Sequence, residues 1–211
     1  MNIIFDLGNV LIEWNKEKIL SKICKNDLEY NLFNQFVFQS NLWIDLDNGK
    51  ISLEFLENQL IDEMGHQYQD QIHELVWNWF NYVDLYDEVY ELIKQLKKKN
   101  FQIYVLSNTS SIFHILLDSV TSSIFHILLD SVLSKVSSVL DGYVISCEVK
   151  MMKPQKEIYL SLVNKYQLDI KDCIFLDDLE ENVEAARTLG IKAFQIKERK
   201  EISNILKDLL N

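Results

Sequence analysis

The chain has 211 residues, 48% hydrophobic and 11% aromatic, enough apolar surface for one large domain or one domain with an insertion, which argues against disorder. Its 32 acids against 21 bases give a formal charge of −11, and no basic tract extends beyond Lys97-Lys98-Lys99, so nucleic acid and anionic membrane surfaces are poor partners. No apolar run reaches membrane-spanning length, Asp6 interrupts any leader-like start, and the scattered Cys24, Cys147 and Cys173 read as reduced thiols of a cytoplasmic protein.

The first element is the apolar run Ile3-Ile4-Phe5, short enough for a buried strand, which ends on Asp6 before Gly8-Asn9 turns the chain. A buried parallel strand that carries a carboxylate at its C-terminal end places it where open α/β sheets bind ligands. The alternative is an acid that merely caps a loop. Lys16 to about Gln39 has apolar residues at helical spacing and predicts one or two helices. Asn41 to Lys50 is polar and predicts a turn. Ser52 predicts an N-cap for a helix to Met64, and Gln69 to Asn81 predicts another. Residues 15–83 are thus expected to form a helical cap inserted into a core of residues 1–14 and 84–211.

From Tyr86 onward helix and strand alternate. Helices are expected over Tyr86–Lys99, Pro154–Tyr166, Glu180–Leu189 and from about Glu201, with Pro154 at the first helical position. Strands are expected at Phe101–Leu106, Tyr143–Ile145, Cys173–Leu176 and Ile191–Ile196. The alternation predicts a Rossmann-like parallel sheet covered on both faces. Residues 109–120 recur unchanged at 121–132. Twelve residues lengthen a helix by about 18 Å and turn its apolar face by about 120°, so the two copies cannot face one core alike along a straight helix. His114 and His126 are equivalent in the two copies, and neither is given a catalytic role.

Three strand ends carry polar groups: Asp6, then Ser107-Asn108, then Asp177-Asp178, with Lys153 before a helix start. A parallel sheet brings all its strand C-termini to one edge, so these groups converge. Asp6 and Asp178 offer the oxygen ligands that Mg²⁺ prefers. Ser107 and Asn108 offer a hydroxyl and amide or backbone donors to phosphate oxygens, and Lys153 a point charge able to hold both Asp6 and a phosphate.

In these motifs, Phe5-Asp6-Leu7-Gly8-Asn9-Val10-Leu11, Leu106-Ser107-Asn108-Thr109, Lys153-Pro154 and Phe175-Leu176-Asp177-Asp178, the chain resembles the haloacid dehalogenase-like superfamily of phosphohydrolases. The resemblance implies a Rossmann-like core with an inserted helical cap and a Mg²⁺-dependent phosphatase of a small phosphorylated metabolite. It implies Asp6 as a nucleophile that forms an aspartyl-phosphate, and Mg²⁺ held by Asp6, the carbonyl of Gly8 and Asp178. Asp177 would act through water or as an orienting group, and Asn182 would support the loop. The Asp-Leu-Gly-Asn form is similar to a bacterial branch that includes sugar phosphatases of the glucose-1-phosphatase type.

Gly8 departs from the pattern, because most phosphatases of the superfamily have a second Asp there that protonates the leaving group. Glu13, Asp45, Asp47 and Glu148 are replacement candidates by position alone. Glycine can also hold φ > 0 at no steric cost, which would restrict what can stand at position 8. Lys150 is a second departure, where relatives often carry glycine, and is expected to be a solvated loop charge. The cap segment Asp45–Asn48 and the tryptophans Trp43, Trp77 and Trp79 are candidates for substrate contact, the alternative for the tryptophans being cap core. Two other readings stay open: a 2-haloacid dehalogenase, which the acidic pair Asp177-Asp178 fits less well, and a catalytically weak binding protein that uses the duplicated segment.

Overall fold

The computed structural model describes residues 1–114 and 138–211. Five parallel strands form one sheet: β1 (Asn2–Phe5), β2 (Gln102–Ser107), β3 (Gly142–Ile145), β4 (Cys173–Asp177) and β5 (Lys192–Gln195), in the order β3-β2-β1-β4-β5. β1 is central and pairs with β2 and β4, so that Phe5 lies between Val105 and Leu176. The strand order reverses at β1, the crevice where sheets of this kind bind ligands.

Alternation along the strands sorts the core into two layers. Ile3, Phe5, Ile103, Val105, Ile174 and Leu176 face one side, where α6 (Asp87–Lys98) and α10 (Arg199–Leu210) cover them with Val89, Leu92, Ile93, Leu96, Ile202 and Leu206. Ile4, Tyr104, Leu106 and Phe175 face the other, covered by α8 (Lys156–Lys165) and α9 (Glu180–Thr188), and the short α7 (Ser146–Val149) follows β3 directly. α6 forms because its apolar residues recur at helical spacing, with Asp87 and Glu88 in the first turn and Lys97 and Lys98 in the last, suiting its dipole.

Between β1 and α6 the chain is helical: α1 (Lys16–Ile23), α2 (Asp27–Phe33), a π turn at Asn34–Phe38, α3 (Leu42–Asp47), α4 (Leu53–Met64) and α5 (Gln69–Asn78), then a 3₁₀ turn at Trp79–Tyr82. Ser52 caps α4 as expected, accepting from Phe55 N at 3.1 Å. The architecture is the parallel sheet with an inserted helical cap that the sequence predicts. Among the described residues no helix is long and apolar enough to cross a membrane.

Several local expectations fail for identifiable reasons. Asn41–Lys50 is not simply a turn: Leu42 and Leu46, four residues apart, anchor α3 with Leu46 buried. Pro154 does not open its helix. It lies in a turn behind a cis Lys153–Pro154 bond, and α8 starts two residues later at Lys156. Lys150 is exposed, as a solvated charge should be, although its Nζ also donates to the Gly49 carbonyl. Its φ of 56° lies in the left-handed region that favours glycine. Most of the duplication at 109–132, including His126, lies outside the described residues. In its first six positions Ile112 and Phe113 are buried, and His114 Nε2 pairs with Glu148 Oε1 at 2.8 Å.

Candidate active site

The centre of the site is a buried charge cluster at the C-terminal edge of the sheet. Asp6 follows β1 directly, and its backbone N–H still donates to Leu176 O at 2.8 Å, which extends the ladder by one residue. Its Oδ1 accepts from Leu7 N at 2.7 Å and pairs with Lys153 Nζ at 2.8 Å. Lys153 Nζ also donates to Asp177 Oδ2 at 2.7 Å, so one buried ammonium joins two strand-end carboxylates.

Asp177 is fully saturated. Besides Lys153 it accepts from Leu179 N at 2.9 Å and from Asn182 Nδ2 at 2.9 and 3.1 Å. Its role is to hold Lys153 and the following turn, and Asn182 braces it from α9. Asn108 also acts on Lys153. Its Oδ1 accepts from Lys153 N at 2.8 Å and its Nδ2 donates to Lys153 O at 3.0 Å. The side-chain amide expected to face a phosphate is thus spent on the lysine backbone. Asp178 is held by Asn9 Nδ2 at 3.0 Å.

Asp6, Asn9, Asn108, Lys153, Asp178 and Asn182, but not Asp177, line a cavity of about 380 Å³ that also includes Ser107, Gly8 and Leu179, with Trp14, Phe38, Trp43, Asp47 and Trp79 on the cap side. Of the expected cap residues, Trp77 is elsewhere, donating to Glu57 Oε2 at 2.8 Å. Trp79 is both core and cavity wall, at 4% exposure. Trp14 and Asn9 were not singled out by sequence. Asn9 was readable as half of the Gly8-Asn9 turn, whereas nothing in sequence marked Trp14, 5.9 Å from Trp43 between ring centroids.

Gly8 is not in a left-handed conformation. That backbone falls on Asn9, with φ 56°. A Cβ at Gly8 would sit 3.4 Å from Trp14 Cβ, ordinary contact. Backbone conformation therefore does not restrict position 8 to glycine.

Burial dominates the electrostatics. It pushes the Asp6 carboxyl up to about 6, against the opposing pull of Lys153 and with a further push from Asp177. Burial also raises Asp178, with Asn9 opposing. Burial lowers Lys153, but the carboxylates of Asp6 and Asp177 prevail and its net shift is upward, so it stays charged. Folded Asp6 holds its proton more tightly than the unfolded chain, so its contribution to stability is full below about pH 4 and is lost as pH rises through about 6. Urea midpoints of metal-free parent and Asp6→Asn protein isolate this. The parent should lose stability relative to the variant across that window, and a relative gain would contradict the burial described.

Asp6, Asp177 and Asp178 each present a carboxylate oxygen within 4.8 Å of the others. Asp177 is spent, but among the described residues Asp6 Oδ2 and Asp178 Oδ1 are engaged by no other side chain. Two hard oxygen donors in a cavity that Gly8 also lines fit a small divalent cation such as Mg²⁺.

A family model described as haloacid dehalogenase-like hydrolase matches residues 1–190. A D-ribitol-5-phosphate phosphatase of Bacteroides thetaiotaomicron is 25% identical over 196 residues, 92% of this chain and 90% of its own. A HAD-like hydrolase structure from Porphyromonas gingivalis superposes with a TM-score of 0.73 at 25% identity, covering 99% of this chain and 97% of that one. A magnesium complex of a haloacid dehalogenase family enzyme from B. thetaiotaomicron gives 0.68 at 25% identity, covering 92% of each.

Proposed function

The chain belongs to the haloacid dehalogenase-like hydrolases, and from that premise we propose that it is a Mg²⁺-dependent phosphatase of a small phosphorylated metabolite, a sugar or polyol phosphate in particular. The observation that carries this is Lys153 Nζ held 2.8 Å from Asp6 and 2.7 Å from Asp177, beside Asp178. An anion-binding ammonium and a carboxylate with one free oxygen share one cavity with the Ser107 hydroxyl. The similarity to a relative named D-ribitol-5-phosphate phosphatase supports the substrate class, and the Asp-Leu-Gly-Asn form resembles that of sugar phosphatases.

Asp6 is the nucleophile. Its oxygen attacks phosphorus to give an aspartyl-phosphate, which water then hydrolyses. Lys153 keeps Asp6 aimed and offsets phosphate charge, while Ser107 donates to a phosphate oxygen. Mg²⁺, held by Asp6, the Gly8 carbonyl and Asp178, would supply the positive charge that lets two anions meet. Asp177 serves by holding Lys153 in place beside Asp6.

Phosphate release from a panel of phosphorylated metabolites, D-ribitol 5-phosphate included, tests this. Release should need Mg²⁺ and fall to background with excess EDTA. Turnover indifferent to EDTA, or none on any ester, would overturn the reading.

A further inference from the structure

A phosphomonoester expels an alkoxide unless a proton reaches the leaving oxygen, and Gly8 has none to give. The acids that sequence position offers in its place are mostly engaged elsewhere. Glu13 Oε2 accepts from Lys18 Nζ at 2.8 Å, Asp45 Oδ1 from Lys50 Nζ at 2.7 Å, and Glu148 pairs with His114 at 2.8 Å. None of the three lines the cavity.

Asp47 does. It ends α3, shares the cavity with Asp6 and Lys153, and its carboxyl meets no hydrogen-bond or ion-pair partner among the described residues. Its backbone is pinned instead: Ser146 Oγ donates to the Asp47 carbonyl and accepts from Thr109 N at 2.9 Å, tying the end of α3 to the loop after β2. Phe38 and Trp43, 5.2 Å apart between ring centroids, supply apolar wall on the same side.

We propose that Asp47 is the acid that protonates the leaving oxygen, an inference that rests on the phosphatase reading above. As Asp6 bonds to phosphorus, the phosphorus–oxygen ester bond breaks, its electron pair stays on the leaving oxygen, and that oxygen takes the Asp47 proton. The Asp47 carboxylate then removes a proton from the water that attacks the aspartyl-phosphate, which restores both aspartates and releases phosphate. Burial raises the Asp47 carboxyl well above the usual range, the direction that suits a proton donor.

The test compares parent and Asp47→Asn protein, with Mg²⁺, on D-ribitol 5-phosphate, an alkyl ester, and on 4-nitrophenyl phosphate, whose acidic phenol leaves without a proton. The alkyl ester rate should fall by about 10²- to 10⁴-fold and the aryl ester rate far less. The aryl rate also reports that the variant is folded, as does an unchanged thermal midpoint. Adding Gly8→Asp to Asp47→Asn, a change the space beside Trp14 allows, should restore part of the alkyl ester rate. Equal losses on both esters, or no loss on the alkyl ester, would overturn the role of Asp47. A parent inert on every ester of the panel would overturn the phosphatase reading itself, and this inference with it.

Discussion

Asp6→Asn is expected to lower phosphate release by about 10⁴- to 10⁶-fold, the scale on which hydrolases lose turnover when a nucleophile or its partner is removed. The amide has nearly the carboxylate's shape and keeps an oxygen to accept from Leu7 N, now at 2.7 Å from Asp6 Oδ1, so the turn after β1 survives. What disappears is the electron pair that attacks phosphorus and one of two anionic partners of Lys153. No second carboxylate can take over attack. Asp177 is covered by Lys153, Leu179 and Asn182, and Asp178 leaves a different strand end. Steady-state phosphate release is the check, and a rate within tenfold or so of the parent would remove Asp6 from the chemistry.

Lys153→Met should be the most destabilising single change at the site, by about 3–5 kcal/mol, because it leaves buried carboxylates without their counter-charge. The lysine side chain is 1% exposed and Asp177 0%, so water cannot replace the lost ammonium. Methionine fills similar volume, which confines the effect to charge rather than a cavity. The deficit should shrink as pH falls, since protonating Asp6 relieves its repulsion with Asp177. Against a total stability of roughly 5–15 kcal/mol this is a large loss, readable as a lowered urea midpoint. A change under about 1 kcal/mol would mean that the cluster is far better solvated than its burial indicates.

The parts of this site that sequence revealed are those fixed by the sheet. Asp6, Ser107 and Asp177-Asp178 each follow an apolar run, and in a parallel sheet such runs all end at one edge, so convergence follows from topology. Lys153 stands beside Asp6 at the strand-end edge, although Pro154 does not open a helix. A proline after a lysine fits a helix start and a turn equally, and only the tertiary setting chose the turn. No single side chain in the sequence announces that the Asn108 amide bonds the Lys153 backbone 45 positions away. α3 was hidden by Asp45, Asp47 and Asn48, whose turn-forming tendency outweighs two leucines over so short a span. With α3 unread, Asp47 could not be separated from Glu13, Asp45 and Glu148. Ser146, which joins α3 to the core, carries no local signal at all.

Asp6 as a covalent nucleophile is tested most directly by acid-quenching the Mg²⁺-loaded protein during turnover, digesting it, and locating phosphate by mass spectrometry. The expected result is a hydroxylamine-sensitive phosphoryl group on the peptide bearing Asp6, formed within the first turnover and missing from Asp6→Asn. Turnover that proceeds with no phosphoryl group on that peptide, or with one on another residue, would contradict it.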